Sequence, residues 1–116
     1  FWPENYSLHN SALHEVADPT AFAWQRPEDH QPSGNQALWK VREEVRNHLD
    51  QCLITLELLP NGEGTLHHTT MTVNNLGKLD VYQYVYFLAL HAQRHLRQME
   101  KIRAEFEQLE NNVLKH

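Results

Sequence analysis

The sequence has little of what marks several classes of protein. It contains one cysteine, Cys52, so no disulfide can form within its 116 residues, and a reducing cytoplasmic location is expected. Lys and Arg number 10 against 15 Asp and Glu, and no basic stripe follows either predicted helix, which argues against a nucleic-acid partner. The apolar run 81–90 is too short and too rich in tyrosine to cross a membrane, so no membrane partner is expected.

In contrast to what the sequence lacks, two of its stretches have a strongly periodic pattern of apolar residues. Apolar residues recur at steps of three and four over 35–59 and again over 79–113, which is the spacing of an amphipathic helix. Asn35 is expected to cap the first helix, and Asp80 lies at the start of the second. The second helix would be about 52 Å long. Because it is longer than the first, we expect its end to project or to pair with another chain.

The rest of the chain shows no such periodicity. Residues 1–34 hold four of the five prolines, which predicts an irregular arm with room for one short helix, followed by a helical part at 35–116. Phe22 and Trp24 are expected to pack the arm onto the helices. The connection 64–78 is long for a compact domain, so it is expected to lie over the helix pair as an extended flap.

A pair of histidines interrupts the apolar seam of the second helix. His91 and His95 lie four residues apart and therefore on one face, at positions where leucine or valine is usual. Burial of two imidazoles is costly unless each ring nitrogen has a partner, and a divalent metal ion would supply one. Residue 92 is alanine, so the HExxH signature of zinc proteases is absent. The seam runs through Val81, Tyr84, Leu88, His91, His95, Met99, Ile102, Phe106, Leu109 and Val113.

A useful metal site needs a third ligand. His48 lies on the apolar stripe of the first helix, and in an antiparallel hairpin it would stand at the height of His91. A histidine at the edge of the core, bonded to a neighbour, explains His48 equally well. Looser candidates lie in the arm and the connection, and the remaining two histidines are expected to be solvated. The looser candidates are His9, His14, His67 and His68, and the solvated pair is His30 and His116.

Three further side chains bear on the pair. Gln98, three residues beyond His95, is placed to accept a hydrogen bond from its second ring nitrogen or to position a substrate. Arg94 is either a second group that orients substrate or a surface residue that pairs with Glu57 or Asp50. Cys52 is expected to be buried as a packing residue rather than a reactive thiol.

The stretch LGKLDVYQYVYFLALHAQRHLRQMEKI (76–102) resembles the last helix of the DinB/YfiT-like superfamily, whose members carry an H-x-x-R/H-H-x-x-Q-like pattern there. Gly77, Asp80 and Tyr84 fit the approach to that helix. The likeness covers about 64–102, extends more weakly over 35–59 and does not reach the arm. It implies an all-α, up-down four-helix bundle that binds a divalent metal, commonly zinc or nickel, through three histidines. Two of these match His91 and His95.

The third ligand of the family lies on the second helix of the bundle, before or very near the start of this sequence. The chain therefore resembles the C-terminal half of such a bundle, an antiparallel helix pair completed by preceding helices or by dimerisation. The third ligand would be absent from the sequence, supplied by His9 or His14, or replaced by His48. The implied activity is that of a metal-dependent transferase that uses a thiol, or of a hydrolase, on a small-molecule substrate.

A rival interpretation belongs to a different class of protein. A two-helix hairpin exposes apolar faces, and the overhanging seam 102–113 would suit a homodimer interface. In that case the chain is a helical interaction module without catalysis, and the two histidines are interface residues.

Overall fold

The computed structural model describes residues 11–70, 72–73 and 76–115. The described residues form three α-helices joined by irregular segments and 3-10 turns, with no strand among them, so the all-α prediction is confirmed. Both predicted long helices are present within three residues of the expected bounds. The α-helices are α1 (Ser11–His14), α2 (Leu38–Glu57) and α3 (Val81–Leu114), and the 3-10 turns are Glu15–Ala17, Glu28–His30 and Glu63–Leu66.

The start of α3 is fixed by a reciprocal capping box. Asp80 Oδ1 accepts a hydrogen bond from the backbone N–H of Gln83 at 2.9 Å, and Gln83 Oε1 accepts one from the backbone N–H of Asp80 at 3.0 Å. Two donors that the helix leaves unpaired are satisfied in this way. The cap predicted for α2 is wrong, because Ala37 rather than Asn35 precedes the first turn and no side chain caps it.

The core is small and joins the arm to α3. Leu13, Val16 and Ala17 of the arm pack with Phe87 and Leu90 of α3. Trp24 packs against this cluster from the side, as the sequence predicted for the arm. The amino-terminal half of α3 is therefore covered by the aperiodic part of the chain rather than by α2.

Two arginines of α3 bind the backbone of the arm. Arg94 is only 2% exposed, and its guanidinium donates to the carbonyl oxygens of Asp18 and Phe22. Arg97 donates to the carbonyl of Ala17 at 3.0 Å. These side chains bind carbonyl groups of the arm that lie outside any α-helix or strand.

The surface ion pair considered for Arg94, with Glu57 or Asp50, is therefore wrong. The arm lies over that part of α3, and its carbonyl groups take the guanidinium donors instead. The sequence pattern placed Arg94 off the apolar seam, but the arm buries the side of the helix on which it stands.

The connection between the long helices folds back onto the start of α3. The Tyr82 hydroxyl donates to the Leu59 carbonyl at 2.6 Å and accepts from the Gly64 N–H at 3.1 Å. The N–H of Thr69 donates to the Leu79 carbonyl at 2.8 Å. The predicted flap thus lines one end of the space between the helices instead of lying along the pair.

Helix α2 contributes no buried residue. A cleft of about 540 Å³ separates α2 from α3, and its lining on the α2 side is His48, Gln51, Cys52 and Thr55. Most of the apolar stripe of α2 does not line this cleft, and Leu49, for example, is 57% exposed. Cys52 lines the same cleft and is half-buried, so the prediction that it belongs to the core is wrong. Two helices alone offer each other one face each, which is too little surface to close a core.

The described chain is elongated. Its radius of gyration is 18.2 Å, whereas a compact domain of this length would have about 13 Å. The carboxyl-terminal half of α3 projects with its seam uncovered, and Ile102 is 64% and Phe106 59% exposed. The expected overhang of this helix is confirmed. None of the helices in the described part of the chain is both long and apolar enough to cross a membrane.

Candidate metal centre

Helical spacing brings the side chains of His91 and His95 together on one side of α3. Their Nε2 atoms lie 3.0 Å apart, and the ring planes are nearly perpendicular at 86°. This follows from their separation of four residues, which puts successive side chains one turn apart on the same face. The expected common face of the two imidazoles is confirmed.

Gln98 orients the second histidine. Its Oε1 lies 3.0 Å from His95 Nδ1, the contact that the spacing of the two residues predicted. An amide oxygen can only accept, so in the neutral form of His95 the proton lies on Nδ1 and Nε2 carries a lone pair. The Nε2–H of His91 then donates across the pair, which leaves His91 Nδ1 as the unprotonated nitrogen.

The first histidine stands in an aromatic, half-buried environment. The Trp24 ring meets the His91 ring edge-on at a centroid distance of 4.8 Å, and the Phe87 ring lies 5.8 Å away. Burial lowers the pKa of His91 below its usual value of 6.5, and the neighbouring His95 and Arg94 lower it further. His91 is therefore neutral near pH 7, as a metal ligand must be.

One atom of this environment has no partner. His91 Nδ1 is buried and makes no hydrogen bond within the described part of the chain. When it is unprotonated, this nitrogen is an acceptor that receives no hydrogen bond. When it is protonated, it would be a buried donor without an acceptor, which lowers the free energy of unfolding by about 1–3 kcal/mol.

The histidine pair opens onto a cavity of about 500 Å³ between α3 and the arm. Trp24, Arg26 and His30 line it from the arm, and His91, His95 and Gln98 line it from α3. Sequence reasoning missed this use of Arg26 and His30, although His30 is exposed as predicted. His116, the other histidine expected to be solvated, lies outside the described residues. The arm is aperiodic, so its spacing carried no signal for the side that meets α3.

The candidates for a third ligand lie elsewhere or outside the described residues. His48 lines the cleft between α2 and α3, together with His67 and His68. His14 Nε2 lies 3.4 Å from the Tyr86 hydroxyl. His9 is outside the described residues. Across residues 11–70, 72–73 and 76–115, no group of three or more His, Cys, Asp or Glu side chains is arranged to hold a metal ion.

The pair itself fits as two ligands of a metal. Two nitrogens bound to one tetrahedral zinc lie about 3.3 Å apart, close to the 3.0 Å between the Nε2 atoms of His91 and His95. Gln98 already supplies the outer acceptor that a ligating histidine usually has. Coordination through His91 Nε2 would move the proton to Nδ1, where the described residues offer no acceptor. The described residues thus offer two candidate ligands, and among them neither a third ligand nor that acceptor is found.

Comparison of the chain with protein-family models, with curated proteins and with solved structures finds no match. The interpretation of the site therefore depends on the residues of α3 and their geometry.

Proposed function

We propose that His91 and His95 are two ligands of a divalent metal ion, zinc or nickel, in an enzyme of the DinB/YfiT-like type. The observation that carries this proposal is the convergence of their Nε2 atoms at 3.0 Å, with His95 held from behind by Gln98. In this proposal α2 and α3 are the C-terminal pair of a four-helix bundle, and the third ligand comes from an element outside the described residues.

Each residue of the site has a distinct part. Gln98 fixes the tautomer of His95, so that its Nε2 presents a lone pair. Trp24 and Phe87 shield His91 from water and keep it neutral. The metal, when bound, would lower the pKa of a water or thiol ligand and so make a nucleophile available at neutral pH. A thiol-dependent transfer or a hydrolysis on a small molecule is the reaction type this supports.

The test is metal content after equilibrium dialysis against zinc or nickel. The wild-type chain is expected to retain metal, while His91→Ala and His95→Ala each lose most of it because one ligand is removed. His67→Ala is the matched control, since this exposed histidine lies at the other cleft. Equal metal content in all four proteins would overturn the proposal.

Two further variants locate the third ligand. His48→Ala and His14→Ala are expected to keep the metal content of the wild type, because neither side chain lines the cavity of the pair. A loss as large as that of His91→Ala in either variant would identify that histidine as a ligand and contradict a third ligand from outside.

A second candidate function is a helical interaction module that forms a homodimer. The exposed apolar stripe of α2 and the uncovered seam of α3 favour it, because soluble monomers rarely expose such large contiguous apolar faces. The discriminating measurement is molar mass by light scattering with and without a chelator. A dimer that persists in chelator, from a chain that binds no metal, would support this function against the enzymatic one.

A further inference from the structure

The cavity beside the histidine pair carries charge of one sign. Arg26 and Arg94 line it, together with three histidines, and none of the acidic side chains that the structure describes does. The chain as a whole has the opposite balance, with 15 Asp and Glu against 10 Lys and Arg. A cleft that gathers cations in an acidic protein raises the local concentration of anions. We propose that this cavity binds a small anionic molecule with an apolar body, and that Arg26 holds its carboxylate or phosphate group.

The two arginines differ in what they can offer a ligand. Arg94 is 2% exposed, and its terminal nitrogens donate to the carbonyl groups of Asp18 and Phe22. It therefore contributes positive charge to the cavity but no terminal nitrogen that is free to bind a ligand. Arg26 is exposed, and its hydrogen-bond partner is the neutral amide of Gln31 at 3.0 Å.

Arg26 is also without a counter-ion in the described part of the chain, where the ion pair found joins Arg103 to Glu107. A guanidinium presents five donors in a planar fork that matches the oxygens of a carboxylate or a phosphate. One contact to an amide oxygen leaves most of that fork for a ligand.

The remaining walls describe the rest of the ligand. Trp24, Pro27, Phe87 and Leu88 line the cavity with apolar surface. Its volume of about 500 Å³ lies within the usual range for small-molecule sites. Arg26 on the arm and the histidine pair on α3 both line this space. The inference rests on the proposed function in one respect, that the reacting end of the ligand lies at the histidines while its anionic end lies at Arg26.

The test uses the metal-free chain, so that an anion cannot bind through a metal. Benzoate and phenyl phosphate are titrated by calorimetry, with benzamide as the neutral analogue of benzoate. The wild-type chain is expected to bind at least one anion and to bind benzamide more weakly. Arg26→Gln is expected to weaken the anion about tenfold, the effect of losing one charged hydrogen-bonded contact, and Arg26→Lys to lie between.

Arg42→Gln is the matched control, because it removes an exposed arginine of α2 that does not line this cavity. It is expected to bind as the wild type does, and circular dichroism checks that each variant keeps its helices. The proposal is overturned if neither anion binds saturably, if benzamide binds as tightly as benzoate, or if Arg26→Gln binds as the wild type does. Metal content is measured separately, so a failure of the metal proposal leaves this result interpretable.

Discussion

At the scale of residues, the positions of two protons on His91 and His95 decide which ring nitrogens can bind a metal. Gln98 fixes the proton of His95 on Nδ1, and the Nε2–H of His91 then donates to His95 Nε2 over 3.0 Å. His91 is surrounded by Trp24 and Phe87, which disfavour its charged form. A metal ion bound at His91 Nε2 would leave the proton of this ring on Nδ1. A doubly protonated imidazole cannot bind a metal, so acid should oppose metal binding, and it should also lower the free energy of unfolding.

The first prediction concerns the pH dependence of folding in the metal-free chain. Because the pKa of His91 is lowered from 6.5 on folding, the unfolded state binds this proton more readily. Its contribution to the free energy of unfolding is fully present above about pH 6.5 and is lost as the pH falls through the lowered value. Urea unfolding between about pH 7.5 and pH 5 should show a smaller pH slope for His91→Gln than for the wild type. Equal slopes would contradict this environment for His91.

The second prediction concerns Arg94. Arg94→Lys keeps the charge but cannot reach both the Asp18 and Phe22 carbonyls with a planar fork. The free energy of unfolding should fall by about 2–4 kcal/mol, the range for buried charged hydrogen bonds left unmade.

The matched control for Arg94 is Arg103→Lys. Arg103 makes an exposed ion pair with Glu107, so the change should be less than about 1 kcal/mol. Chemical denaturation of both variants provides the comparison, and an equal effect at the two arginines would mean that Arg94 does not hold the arm.

At the scale of elements, the long helices and the irregular arm obey different rules. Helix α3 begins at a capping box formed by Asp80, a residue that the sequence places at its start. The apolar seam of this helix repeats every three or four residues. The arm has no repeat, yet Leu13, Val16 and Ala17 supply half of the buried core. An element without periodicity thus decides which part of α3 is buried.

The third prediction tests the start of α3. Asp80→Ala removes the side-chain acceptor of the capping box and should cost about 1 kcal/mol. Thermal unfolding followed by circular dichroism measures the loss. Asp50→Ala changes an exposed residue within α2 and should cost nothing comparable. An unchanged melting temperature for Asp80→Ala would show that the cap contributes little.

The same contrast explains what could be predicted from the sequence. Local periodicity predicted both long helices, the common face of His91 and His95, and the contact of Gln98 with His95. The burial of Arg94 and the cavity position of Arg26 depend on where an aperiodic arm meets α3. No local rule encodes such long-range contacts, so these features were missed or misassigned.

At the scale of the whole molecule, the described chain exposes more large hydrophobic residues than it buries. Its long dimension is 65 Å, and the seams of α2 and of the carboxyl-terminal half of α3 face outward. A cleft separates α2 from α3, and His91 Nδ1 has no hydrogen-bond partner among the described residues. The described residues alone therefore leave these apolar faces uncovered and this nitrogen unpaired.

The fourth prediction follows from those faces. The chain should associate or bind a dye that reports exposed apolar surface, and Phe106→Glu should reduce both effects by placing a charge in the uncovered seam. Lys101→Glu, a polar substitution on the same helix, is the control. Equal behaviour of the two variants in light scattering and dye fluorescence would contradict the role of this exposed apolar seam in association.

The most direct test of the central claim is the X-ray absorption spectrum of the zinc-loaded chain. Two imidazole ligands should appear as nitrogen scatterers at about 2.0–2.1 Å with the outer-shell pattern of histidine, and His91→Ala should lose one of them. A wild-type spectrum without imidazole ligands, or one that His91→Ala leaves unchanged, would contradict the metal site on α3.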